Sequence, residues 1–145
     1  MRLWHYEIIP YLPKSQLLAQ WRELCSIFRK SDKHILINYV YDYEPFELMS
    51  YAELVIAEMK KRGIHVNTEL GSPYQTWLFS AFGPATNVSL NTKPFQRHHT
   101  DRYLLQCFYN LQEKYDRGQK DFSDELYERL AQFMCSSSCY IKEED

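Results

Sequence analysis

A chain of 145 residues, 45% hydrophobic and 25% charged, has the size and make-up of one globular domain, and this excludes a chain disordered throughout. Four Gly and six Pro exclude collagen-like or linker-rich architecture. Seventeen Lys and Arg against nineteen Asp and Glu leave a net charge of −2, so any binding to DNA must rest on a local basic patch rather than on bulk charge.

No run of about 18 apolar residues is present, so no membrane span or membrane partner is expected. The opening Met1-Arg2-Leu3-Trp4-His5-Tyr6-Glu7 lacks the apolar core of a signal segment, and the expected location is the cytoplasm. In that compartment Cys25, Cys107, Cys135 and Cys139 are expected as buried or free thiols rather than disulfides.

In chain order, the first helix is predicted from near Ser15, read as its N-cap, to Arg29-Lys30. Leu17, Leu18, Trp21, Leu24, Cys25 and Phe28 form its apolar face, with Gln16, Gln20 and Glu23 on another side. Ser31 to Tyr43 fits either period and is read as helix or irregular. A second helix is predicted from Pro45 to Arg62, with Met49, Ala52, Val55, Ile56 and Met59 inward. Lys60-Lys61-Arg62-Gly63 stops it: basic residues suit the negative end of the dipole, and glycine suits the left-handed cap.

Residues 67–100 contain Pro73, Pro84, Pro94, Gly71 and Gly83 and are predicted as a long aromatic-rich loop, ordered by packing of Trp77, Phe79, Phe82 and Phe95. A third helix is predicted from Thr100 or Asp101 to Tyr115, with Leu104, Cys107, Phe108, Leu111 and Tyr115 inward. A fourth begins at Ser123, with Leu126, Leu130, Phe133 and Met134 inward. The expected fold is all-α: a compact irregular bundle of three main helices with a shorter C-terminal one. It is read as a single helical domain over 1–134 followed by an acidic tail at 135–145. The aromatic excess is read mainly as core, with base stacking as the other use of such rings.

The sequence contains no Gly-rich phosphate loop, no HExxH and no GxSxG. Cys135 and Cys139 are four apart, but with His98-His99 they match no zinc signature, so neither a metal nor a cofactor is expected. Taken alone, Arg22-Glu23 is an ordinary surface pair.

The order of three segments gives that pair another meaning. Met1-Arg2-Leu3-Trp4, Leu12 to Leu24 ending Trp21-Arg22-Glu23-Leu24, and His34 to Val66 with Glu53-Leu54-Val55-Ile56-Ala57-Glu58 and Lys61-Arg62-Gly63 resemble the phage and bacterial pyrimidine-dimer DNA glycosylases. The resemblance covers nearly the first half and is loose afterwards. It implies a bundle of three main helices with the N-terminal segment threaded through the middle. It also implies a glycosylase with abasic-site lyase activity on damaged pyrimidines, acting through an N-terminal α-amine imine.

By position it implies Met1 as nucleophile, because a bulky Arg2 blocks removal of the initiator Met, and Glu23 as acid/base. Arg2, Arg22 and His34 would contact DNA, with His34 also a candidate proton carrier at neutral pH. The partner would be damaged double-stranded DNA and the enzyme a monomer. Departures support an alternative, a non-catalytic DNA-binding or protein-interaction module of the same fold. Gln16 replaces a histidine, Ser26 replaces a basic residue, and an acidic end replaces a basic, aromatic-rich tail.

Overall fold

The computed structural model describes residues 2–31, 33–84 and 89–137. Among them are five α-helices, two 3-10 turns and no strand: a turn at Tyr6–Tyr11, α1 Lys14–Lys30, a turn at Asn38–Asp42, α2 Pro45–Lys61, α3 Pro73–Phe82, α4 Asp101–Asp116 and α5 Asp124–Ser136. The fold is all-α. Helices α1, α2 and α4 span 17, 17 and 16 residues, and α5 is shorter at 13.

Most ends follow the sequence signals. Thr100 and Ser123 cap α4 and α5 by accepting the N–H of Tyr103 and Leu126. At the end of α2, Gly63 takes φ +72°. Its N–H reaches the Lys60 carbonyl at 3.0 Å, and Ile64 N–H reaches that of Met59 at 2.9 Å, closing a Schellman motif.

Three expectations need correction. Residues 67–100 are not wholly irregular, because α3 lies within them. Ser72 accepts the Gln75 N–H at 3.2 Å and Pro73 occupies the first turn, so Ser-Pro starts a helix here. Ser15 is not the cap of α1, which begins one residue earlier. The Ser15 N–H is instead met at 2.6 Å by the carboxylate of Asp121, from the α4–α5 connection. Finally, α5 continues through Cys135 to Ser136, so the boundary drawn at 134 falls inside a helix. Cys139 and the acidic residues 143–145 lie outside the described residues.

Of the rings expected to order the 67–100 stretch, Phe95 is buried and Trp77 and Phe82 pack partly buried against the core, but Phe79 is 70% exposed and does not join it. Trp21 and Phe28 of α1 pack with Tyr74 and Trp77 of α3 at centroid separations of 5.0–6.3 Å.

The N-terminal segment runs through the middle of the bundle and contacts α2, α4 and α5. Leu3, Ile8 and Leu12 are wholly buried, and Trp4, His5 and Ile9 nearly so. Its backbone is not helical over residues 2–5, so its peptide groups lack helical partners and must find others. Side chains supply them. Gln20 accepts the Trp4 N–H at 2.7 Å and donates to the Arg2 carbonyl at 3.1 Å, as a neighbouring strand would. The Tyr51 hydroxyl lies 2.6 Å from the Trp4 carbonyl and 2.9 Å from Gln20 Oε1. Tyr103 donates to the Leu3 carbonyl, and Cys107 Sγ accepts the His5 N–H at 3.4 Å. Further along, Arg62 donates to the carbonyls of Leu12 at 2.7 Å and Pro10 at 3.0 Å, while Glu58 holds its Nε at 2.9 Å.

Two histidines complete the set. His5 Nδ1 accepts the Glu7 N–H at 3.1 Å, which leaves the proton on Nε2, 3.0 Å from the His99 carbonyl. His99 Nδ1 accepts the Tyr6 N–H at 3.2 Å, and its Nε2 faces the Tyr39 hydroxyl at 2.7 Å. Each ring must keep one nitrogen unprotonated to accept a backbone N–H. Burial agrees with this, lowering the pKa of His5 from 6.5 to about 4 and that of His99 to about 2.

Both folded values lie below the unfolded value, so their contribution is complete above pH about 6.5 and is lost as pH falls through the window to about 4 for His5 and lower for His99. Denaturation followed from pH 7 to 5 should show a loss of roughly 1–2 kcal/mol per histidine, with a shallower slope in His5→Gln. Separately, Arg62→Ala should lower the urea-unfolding free energy by roughly 2–3 kcal/mol, since it strands two backbone carbonyls and the Glu58 carboxylate.

Candidate functional site

A cleft of about 270 Å³ opens where the N-terminal segment passes between α1 and α4. It is lined by Arg2 and Trp4 from the segment, Gln16, Ala19, Gln20 and Glu23 from α1, and Asn110 and Lys114 from α4. The spacing on α1 explains its side of the cleft. Residues 16, 20 and 23 lie at i, i+4 and i+7, one polar stripe beside the buried Leu17-Leu24 face. On α4, residues 110 and 114 are likewise one turn apart, beside the buried Cys107 and Leu111.

The cleft has a carboxylate, two cations and three amides around one aromatic wall. Glu23 is partly buried and its Oε1 is shielded from solvent. The Arg2 guanidinium carbon lies 5.9 Å from the centre of the Trp4 ring, over its face. Gln20 lines the cleft and also grips the Arg2 and Trp4 peptide groups, so it joins the cleft to the buried segment. Gln16 reaches Gln119 at 3.4 Å. Chemically, such a site pairs cations suited to phosphate with a carboxylate placed to move a proton or to face a developing positive charge.

A larger depression of about 410 Å³ lies between the first 3-10 turn, α2 and α5. Its Arg62 and Glu58 are committed to each other and to the buried segment.

Of the five residues predicted for the site, Arg2 and Glu23 line the same cleft. Arg22 is exposed on α1 and is not among the lining residues. His34 is also exposed and outside it. Its Nδ1 accepts the Leu36 N–H at 3.2 Å in the turn that follows α1. Met1 lies outside the described residues. Sequence reasoning missed Asn110 and Lys114. The available signal was their position one helical step beyond the apolar stripe of α4, but nothing in the linear pattern says that this flank faces α1.

Residues 1–71 match the family model described as pyrimidine dimer DNA glycosylase. The resemblance read from the sequence is thus shown over that stretch. It takes in the N-terminal segment, α1 and α2, with Arg2, Gln20, Glu23, Tyr51 and Arg62. Asn110 and Lys114 lie beyond the match. No curated protein and no solved structure matches the chain.

Gln20→Leu keeps the side-chain volume but leaves the Trp4 N–H without its acceptor. Thermal or urea unfolding should show a loss of roughly 2–3 kcal/mol. A loss under about 0.5 kcal/mol, the ordinary surface level, would mean that Gln20 does not anchor the segment.

Proposed function

We propose that the chain is a DNA-repair glycosylase with linked abasic-site lyase activity on damaged pyrimidines, working in the Arg2–Glu23 cleft. The single observation that carries this reading is the meeting of Arg2 and Glu23 in one cleft, within the stretch that matches the glycosylase family. The family supports a role in DNA repair and excision of pyrimidine dimers; the chemistry below is our reading of the residues.

The nucleophile is the α-amine of Met1, one residue before the cleft-lining Arg2. An α-amine has a pKa of about 7.7–8.0, so a useful fraction is unprotonated near neutrality, unlike a lysine. Its lone pair forms a bond to the sugar C1′ while the glycosidic C–N bond breaks, and the bonding pair leaves with the base. Loss of a proton from nitrogen and opening of the sugar ring give a protonated imine. The imine acidifies the C2′ proton, and removal of that proton expels the 3′ phosphate by β-elimination.

Glu23 serves both steps. As a carboxylate it faces the positive charge that develops on the sugar, and it exchanges protons with the ring oxygen and C2′. Arg2 and Lys114 bind the flanking phosphates from opposite walls of the cleft, and the exposed Arg22 and His34 extend the contact along the backbone. Damaged double-stranded DNA is the substrate, with the target nucleotide drawn out of the stack.

Borohydride trapping on duplex DNA carrying an ultraviolet lesion or an abasic site tests this. Wild type should give a reduced covalent adduct mapping to the N-terminal residue. Glu23→Gln should lower the glycosylase rate by about 100-fold or more, the usual scale of acid–base catalysis. Absence of any adduct from a folded protein of verified N-terminus would sink the catalytic reading. The chain would then be read as a DNA-binding or protein-interaction module of the same fold, which the salt dependence of any DNA affinity would sort.

A further inference from the structure

The turn that follows α1 carries two large aliphatic side chains to the surface. Ile35 is 78% exposed and Leu36 45% exposed. Single exposed aliphatics are unremarkable, but these are adjacent and sit at the tip of a built turn. The His34 carbonyl accepts both the Ile37 and the Asn38 N–H at 2.9 Å, and His34 Nδ1 accepts the Leu36 N–H. Ile37, wholly buried, and Val40, nearly so, anchor the far side in the core. The tip is therefore held out by structure on both flanks.

Its surroundings are cationic. Arg29, Lys30, Lys33 and His34 are all exposed. From Leu24 to Tyr41 the sequence holds Arg29, Lys30 and Lys33 against Asp32 alone, in a chain whose net charge is −2. Lys30 is also in register with the cleft residue Glu23, and Arg29 with the exposed Arg22 beside it. Arg22 and Arg29, and likewise Glu23 and Lys30, are seven residues apart on α1, two turns along nearly the same face and about 10 Å along the axis. An apolar tip inside a basic surface fits a polyanion with a stacked apolar interior. Such side chains enter between base steps, unstack them and kink the duplex.

We infer that Ile35 and Leu36 form a wedge that enters the DNA stack beside the nucleotide held in the Arg2–Glu23 cleft, with Arg29, Lys30 and Lys33 gripping the phosphates around the kink. The inference rests on the proposed glycosylase reading and deepens it. It assigns the opening of the duplex to the turn after α1, separate from the residues that carry the chemistry.

The test compares wild type with the double variant Ile35→Ala/Leu36→Ala, whose fold circular dichroism verifies. The duplex carries a tetrahydrofuran abasic-site analogue, which cannot be cleaved by imine chemistry, with 2-aminopurine beside it. Wild type should raise the 2-aminopurine fluorescence by unstacking it, and the double variant should not. On authentic abasic DNA, the double variant should trap duplex about tenfold less than wild type, because the unstacking energy is no longer recovered. Its trapping on single strands should stay unchanged.

No fluorescence rise in wild type, or an equal rise in the double variant, overturns the wedge. Failure of wild type to trap even single-stranded abasic DNA overturns the catalytic reading instead, and the fluorescence comparison then decides the wedge by itself.

Discussion

The fold depends on burying a stretch of non-helical backbone inside a helical bundle. Helices satisfy their own peptide groups, whereas the extended stretch from Arg2 to His5 cannot and the 3-10 turn after it does so only in part, and an unpaired buried N–H or C=O costs as much as a lost hydrogen bond or more. The solution is distributed. Gln20, Tyr51, Arg62, His99, Tyr103 and Cys107, from α1, α2, α4 and the turn before α4, each meet one or two groups of the segment. The helices therefore pack on a polar spine with apolar sides, since Leu3, Ile8, Ile9 and Leu12 fill the space between the bonds. Removing any one partner leaves a specific peptide group unpaired, so the network fixes the path of the segment as well as its burial.

This arrangement explains where the cleft lies. Gln20 projects from α1 toward the segment, and its neighbours one turn away, Gln16 and Glu23, lie on the same stripe and line the cleft. The same stripe of α1 therefore provides an anchor at its centre and cleft walls at its ends. Arg2 is brought to Glu23 because its own carbonyl is tied to Gln20, one turn below. Structure and site share one helix face, so a disturbance of Gln20 acts on both.

Much of this was legible in the chain. Apolar periodicity and end signals give α1, α2, α4 and α5 because each helix announces itself locally: Thr100 and Ser123 accept first-turn N–H groups, and Gly63 closes the last turn of α2. Helix α3 is harder to read because ten residues flanked by Pro and Gly resemble a loop, and its rings point to a core formed with the distant Trp21 and Phe28. The cap of α1 was illegible for a related reason, since it comes from Asp121, 106 residues away. Gln20 and Glu23 stand out as polar residues on one stripe, but only the folded segment separates the anchor from the cleft residue. Lys114 and Asn110 enter from a helix outside the family match, where spacing puts them beside the apolar stripe but does not say that this flank faces α1.

On the proposed mechanism, the same physics bears on the choice of nucleophile. A lysine serving as an amine nucleophile at neutral pH must be desolvated or set beside another cation to lower its pKa by two units or more. An α-amine begins near neutrality, so it needs placement rather than burial. Placement is what the anchored segment provides. From Arg2 onward the first peptide groups are bonded to side chains of α1, α2 and α4. Burial falls instead on His5 and His99, whose lowered pKa keeps both rings neutral and able to accept their backbone N–H groups. The cleft itself remains open and polar, with room for a phosphate on the Arg2 side and a sugar before Glu23. A site made this way tolerates an acidic chain overall, because its cations, Arg2 from the N-terminal segment and Lys114 from α4, are positioned one by one instead of being spread over the surface.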